Sequence, residues 1–183
     1  RRLDDYPHHF SGGMRQRVVI ALALAAEPEL VIADEPTTAL DVSVQAQIID
    51  LLQRLCSERG LSVLLITHDM GVIAELAHRV AVLYAGTLVE IGPVGPVLSH
   101  PTHPYTDGLI RSIPDLHQRV ERLTQIPGAM PALSAIPAGC PFHPRCLRAQ
   151  ARCAEERPQL ERLDPDHAVA CWVAPAERED RDG

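Results

Sequence analysis

The 183-residue sequence contains no lysine. It therefore has no Gly-Lys pair, and so no Gly-rich phosphate loop of the form G-x-x-x-x-G-K-[ST], whose lysine reaches the phosphates. Aromatic residues are only 3% of the chain, which argues against a surface built to stack bases. A basic excess is also missing. The net charge is −7, so nothing is available to neutralise a phosphate backbone, and nucleic acid is not an expected partner. No apolar run approaches the ~18–20 residues that a helix needs to span a bilayer. The opening RRLDDYPHHF has no apolar stretch behind its arginines, so it does not read as a signal peptide. A cytoplasmic location is the default expectation. There the five cysteines are expected to be free, catalytic or metal-bound rather than disulfide-paired.

What is present suits a globular chain with one good core and a small appendage: 46% hydrophobic and 22% charged residues. Residues 11–28 read as a Gly-started helix stopped by Pro28, with Val18, Ala21, Leu22 and Ala25 at helical spacing. ELVIAD (29–34) and LSVLLI (61–66) read as buried parallel strands. Between them, residues 44–60 form an amphipathic helix with Val44, Ile48, Leu51, Leu52 and Leu55 on one face and Gly60 as its stop. Cys56 on this helix reads as a small packing thiol. A further helix is expected over 70–79, then a hairpin over 80–92 around an Ala-Gly turn. Strand–helix alternation makes the fold class α/β.

After Gly92 the texture changes. Residues 93–114 suggest two short helices and 116–123 another. Five prolines between Pro127 and Pro144 argue against regular structure there. A boundary is expected near 113–127, giving a first domain over 1–113, an extension over 114–175 and a disordered tail over 176–183.

Three features carry chemistry. Asp34 and Glu35 end an apolar strand, where parallel sheets bind ligands. Asp34 suits Mg²⁺, held through water, and Glu35 suits the polarisation of a water attacking a phosphate. Taken alone, two acids at a strand end are unremarkable in composition. Ser11, Gly12 and Gly13 open the preceding helix, so free N–H groups and the helix dipole can receive an anion. His68 follows the second strand directly and falls at the same sheet edge as the acids.

In order, Phe10-Ser11-Gly12-Gly13-Met14, the strand ending in Asp34, Glu35, Ala39-Leu40-Asp41 and His68 resemble the signature, Walker B, catalytic-base, D-loop and switch motifs of ABC ATPases. Phe10 and Met14 depart from the usual Leu and Gln of the signature, but the Ser-Gly-Gly is intact. The resemblance implies the C-terminal part of a P-loop NTPase domain. It implies that Asp34, Glu35 and His68 serve the subunit's own MgATP. It further implies that Ser11, Gly12 and Gly13 serve ATP in trans on a second ABC ATPase subunit, and that Asp41 crosses that interface. The family's phosphate loop, Q-loop and adenine-stacking aromatic are missing. The expectation is that the chain begins inside a domain, as a partial gene would, and that this piece alone does not hydrolyse ATP.

The segments 100–114, 126–146 and 167–171 resemble the C-terminal extension of oligopeptide/dipeptide importer ATPases. This implies a peripheral subunit on the cytoplasmic face of the inner membrane, held by permease subunits and served indirectly by an extracytoplasmic peptide-binding protein. The transported substrate is chosen elsewhere, nickel being an alternative to peptide. Four of the five cysteines, Cys140, Cys146, Cys153 and Cys171, lie within 32 residues. Their spacing is not that of a zinc ribbon or a ferredoxin. Four soft thiolates on a Pro-rich scaffold suit a stabilising metal. The resemblance implies a 4Fe–4S cluster. Zinc competes, with His143 or His167 able to replace a cysteine, and an empty site stays open. Two other readings remain: a non-transport ABC ATPase, and a non-catalytic metal-binding fragment.

Overall fold

A computed structural model describes residues 5–38, 40–113 and 125–174. The chain parts into two compact units, residues 1–77 and 78–183.

The first unit is built from helix α1 (Gly12–Leu24), strand β1 (Leu30–Asp34), helix α2 (Val42–Arg59), strand β2 (Ser62–Ile66) and helix α3 (Met70–Leu76). β1 and β2 pair in parallel, from Leu30 opposite Ser62 to Asp34 opposite Ile66. α2 begins at Val42 because Asp41 caps it, accepting a hydrogen bond from the Val44 N–H at 2.9 Å. It ends where Gly60 turns left-handed at φ 65°, a conformation glycine adopts without penalty. Ile48, Ile49 and Leu52 on α2 are buried and form the centre of this unit.

The strands are less covered than expected. Leu30, Ile32, Leu64 and Ile66 alternate along the pair and are 48–62% exposed. Val18 and Leu22 on α1 are exposed as well. The parallel pairing is as expected; burial on both faces is not, because the helices of this unit leave one face of a two-stranded sheet bare.

The second unit is an antiparallel sheet of four strands. β3 (Arg79–Tyr84) and β4 (Thr87–Pro93) form the expected hairpin. Ala85 and Gly86 both take positive φ, 46° and 74°, which fits a tight turn whose twist matches the strands. Strands β5 (Glu161–Asp164) and β6 (His167–Val169) complete the order β3-β4-β6-β5. Two short helices, α4 (Val94–Ser99) and α5 (Pro104–Arg111), follow the hairpin, and α6 (Ala151–Glu155) precedes β5. The Pro-rich stretch holds only 3-10 turns among its described residues.

The division at residues 77 and 78 differs from a break near 113–127. The reason is pairing across sequence: Glu90 lies opposite Val169 and Ile91 opposite Ala168, so the hairpin joins the C-terminal segment. The helix expected over 116–123 and the tail over 176–183 lie outside the described residues.

Candidate functional site

In the first unit, parallel pairing places the ends of β1 and β2 side by side. Asp34 is exposed, and its carboxylate meets no hydrogen-bond or ion-pair partner among the described residues. Glu35 takes φ 48°, an uncommon conformation for a residue with a side chain. Its N–H bonds the Ile66 carbonyl at 2.8 Å, which fixes it to the end of β2. The His68 Nδ1–H donates to Glu35 Oε1 at 2.7 Å, and the Thr38 hydroxyl donates to Oε2 at 2.6 Å. Glu35 is held below the usual carboxylate range by the Thr38 hydrogen bond first and His68 second. His68 is raised by the same contact and by the charge of Glu35.

Ser11 is the N-cap of α1, and its hydroxyl makes no capping bond. The helix start runs close against the start of α2. A Cβ on Gly13 would lie 2.3 Å from Val44 Cγ1, so only glycine fits there. Asp41, expected at a subunit interface, is occupied on Oδ1 by the Val44 N–H and the Ser43 hydroxyl. Asp69 was not singled out by sequence, yet it caps α3 and accepts from Gln45 Nε2 at 3.0 Å, tying α2 to the segment that carries His68. A capping acid just before a helix was the available signal.

In the second unit, all four expected cysteines line one small cavity, together with His103 and His143. Cys140 and Cys153 are buried, and none of the four is in a disulfide. The Cys140 N–H bonds the Cys153 carbonyl at 2.8 Å. Gly139 permits this: a Cβ there would lie 2.4 Å from the Cys153 oxygen. Burial pushes the Cys140 and Cys171 thiols up, and backbone N–H groups pull them back. These come from Phe142 and His143 at Cys140, and from Val173 and Ala174 at Cys171. Among the described residues, however, no three His, Cys, Asp or Glu side chains form a ready metal-binding group.

The two histidines differ. His167 is buried and donates through Nε2 to Glu90 Oε1 at 2.8 Å, so it is committed elsewhere. His143 lines the cavity. Its Nδ1 lies 2.9 Å from the Cys140 carbonyl and must carry the proton there, which leaves Nε2 with the free lone pair in the neutral ring. Glu90 is the hub of the buried polar groups. It also accepts from the Thr102 and His103 N–H groups, at 2.9 and 3.0 Å. His103 itself is pushed down to about 4 by burial, so it is neutral.

A family described as ABC transporter matches residues 1–38. One described as oligopeptide/dipeptide transporter, C-terminal region, matches residues 89–153. A curated putative peptide import ATP-binding protein of Brucella melitensis is 54% identical over 158 residues, covering 86% of this chain and 48% of the relative. Another so described, from Brucella ovis, is 51% identical over 177 residues, covering 93% of this chain and 52% of the relative. Among solved structures, cbiO1 of Clostridium perfringens, part of an ABC transporter complex, is 32% identical. It covers 53% of this chain and 39% of its own, at a TM-score of 0.49. A dimeric ATP-binding cassette bound to ADP and Pi is 39% identical, covering 48% and 38%, at 0.44. With two transporter families matched in order along it, the chain belongs to the ABC transporter ATP-binding proteins, and within them to the oligopeptide/dipeptide type. It spans about half the length of the curated relatives it matches, 48% and 52%.

Proposed function

We propose that the full-length protein carrying this chain hydrolyses MgATP to drive import of di- or oligopeptides. The observation that carries this is the Glu35–His68 contact of 2.7 Å, next in sequence to Asp34, whose exposed carboxylate meets no partner among the described residues. Asp34 would hold Mg²⁺ through water, and its exposure at the strand end suits that task. Bound magnesium neutralises charge on the phosphates. Glu35 polarises the attacking water and takes up its proton. The water oxygen bonds the γ-phosphorus as the bridging P–O bond breaks, and ADP leaves with that bond's electrons. With Nδ1–H given to Glu35, a protonated His68 offers Nε2–H to a γ-phosphate oxygen. The Ser11 hydroxyl and the N–H groups of Gly12 and Gly13 receive the γ-phosphate of ATP bound by a second ATPase subunit, as free N–H groups at a helix start suit. Asp41 supports that interface by capping α2.

No helix among the described residues is long and apolar enough to cross a membrane. From its likeness to peptide import ATP-binding proteins, the subunit is assigned a peripheral place on the cytoplasmic face of the inner membrane, bound to permease subunits and served by an extracytoplasmic peptide-binding protein. Reconstitution of the full-length protein with its permease and binding protein tests the function. ATP-dependent peptide uptake is expected; ATPase activity with no uptake of any peptide would contradict the transport assignment.

The cysteine cavity is assigned a thiophilic metal centre held by Cys140, Cys146, Cys153 and Cys171. Four thiols on one cavity, with N–H groups directed at two of the sulfurs, fit such a group in donor chemistry. A 4Fe–4S cluster is the first assignment and Zn²⁺ the alternative, for which His143 could replace one of the cysteines in a tetrahedral set. A bound centre would cross-link segments that have little regular structure of their own. Iron and sulfide analysis after anaerobic purification separates the two. Stoichiometric zinc without sulfide supports the alternative, and absence of any metal contradicts both.

A further inference from the structure

A glutamate that takes a proton from water must present its carboxylate in one orientation, and a free side chain does not. In this protein two donors from different segments grip the two oxygens of Glu35. His68, beyond the end of β2, holds Oε1 at 2.7 Å. Thr38, in the turn beyond β1, holds Oε2 at 2.6 Å. The same turn sets the backbone. The Thr38 N–H bonds the Glu35 carbonyl at 3.2 Å, and Glu35 sits in its left-handed conformation. One short loop therefore fixes both the Glu35 main chain and one edge of its carboxylate. Each oxygen keeps a lone pair for a further bond.

We propose that Thr38 is a positioning residue for hydrolysis of the terminal phosphoanhydride of ATP, its hydroxyl locking the carboxylate plane of Glu35 toward the attacking water. Thr38 acts only through Glu35, so this role rests on the assignment of Glu35 made above. The hydroxyl touches neither nucleotide nor metal in this role. Its loss should slow the chemical step and leave nucleotide binding alone. Valine has the shape of threonine without the hydroxyl, and serine keeps the hydroxyl.

The test is steady-state ATP hydrolysis by the full-length protein as wild type, Thr38→Val, Thr38→Ser and Glu35→Gln. Thr38→Val is expected to lower kcat roughly tenfold, the loss of one charge-assisted hydrogen bond in the transition state. KM for ATP should stay within about twofold of wild type, since ground-state binding is untouched. Thr38→Ser should restore most of kcat. The unchanged KM also serves as the folding control. If Glu35→Gln is inactive and Thr38→Val turns over at the wild-type rate, the role of Thr38 is overturned while that of Glu35 stands. A Thr38→Ser protein as slow as Thr38→Val, or a KM that rises as kcat falls, overturns it equally. Full turnover by Glu35→Gln overturns both assignments.

Discussion

Asp34, Glu35 and His68 in the first unit all reach solvent, whereas Glu90, His103 and His167 in the second are almost fully enclosed. The apolar surfaces differ in the same sense. The β1–β2 pair leaves Ile32 62% exposed, while the hairpin and β6 bury Val82, Tyr84, Val89 and Val169. Tyr84 packs edge-on against Tyr105 and Phe142, and Tyr105 and Phe142 are tilted against each other, with ring centres 4.7–5.3 Å apart. A parallel sheet ordinarily has both faces covered. The first unit thus leaves these groups and one apolar sheet face open to solvent. The second has polar groups already satisfied by one another, with the Thr106 hydroxyl as the one buried exception among the described residues. Catalytic residues must be reachable, and a structural hub must not be.

The contrast can be broken most forcefully at Glu90. Replacing it by alanine strands the buried His103 N–H, the part-buried Thr102 N–H and the His167 ring, and is expected to cost about 3–5 kcal/mol. Hydrogen exchange should speed in residues 78–174 and stay unchanged in residues 5–77. Uniform acceleration across both would deny that they are separate units. A smaller effect is expected at the start of α1. Gly13→Ala forces a Cβ toward Val44 and should cost about 1–3 kcal/mol in the first unit, read as a lower urea midpoint for that unit alone. A wild-type midpoint would refute the close approach of α1 and α2.

The smallest effect concerns pH. Glu35 raises His68 above its usual 6.5, through the hydrogen bond first and charge second. The favourable contribution of the pair is therefore complete between 4.5 and 6.5; it fades as pH rises through the higher folded value of His68 and as pH falls through the lowered value of Glu35. Both groups meet solvent, so the gain in stability is slight. Proton NMR of His68 should show its titration moving down in Glu35→Gln; an unmoved titration would contradict the contact.

Much of this was legible from local sequence. Helix α2, strands β1 and β2 and the Ala85-Gly86 hairpin follow from periodicity and turn chemistry, which act over a few residues. The pairing of β4 with β6 was not legible. It joins Glu90 to Val169 across some eighty residues, and ERLD with HAV is too short and too charged to announce strands. The same distance hid the role of His167, which sequence offered as a metal donor and the fold commits to Glu90. Strand burial was overstated because an apolar run reports what a surface can bury, not what covers it. Among the phosphate-site candidates, Glu35 and His68 come together as their motif order suggests, and Asp34 lies beside them. Thr38 was invisible because a hydroxyl three residues from an acid means something only once the turn is known.

The central claim is that Glu35 takes the proton of the attacking water. ATP hydrolysis by the full-length Glu35→Gln protein, measured beside its ATP affinity, addresses it directly. Turnover at least about a hundredfold below wild type, with ATP still bound, is the expected result. Turnover near the wild-type rate would contradict it.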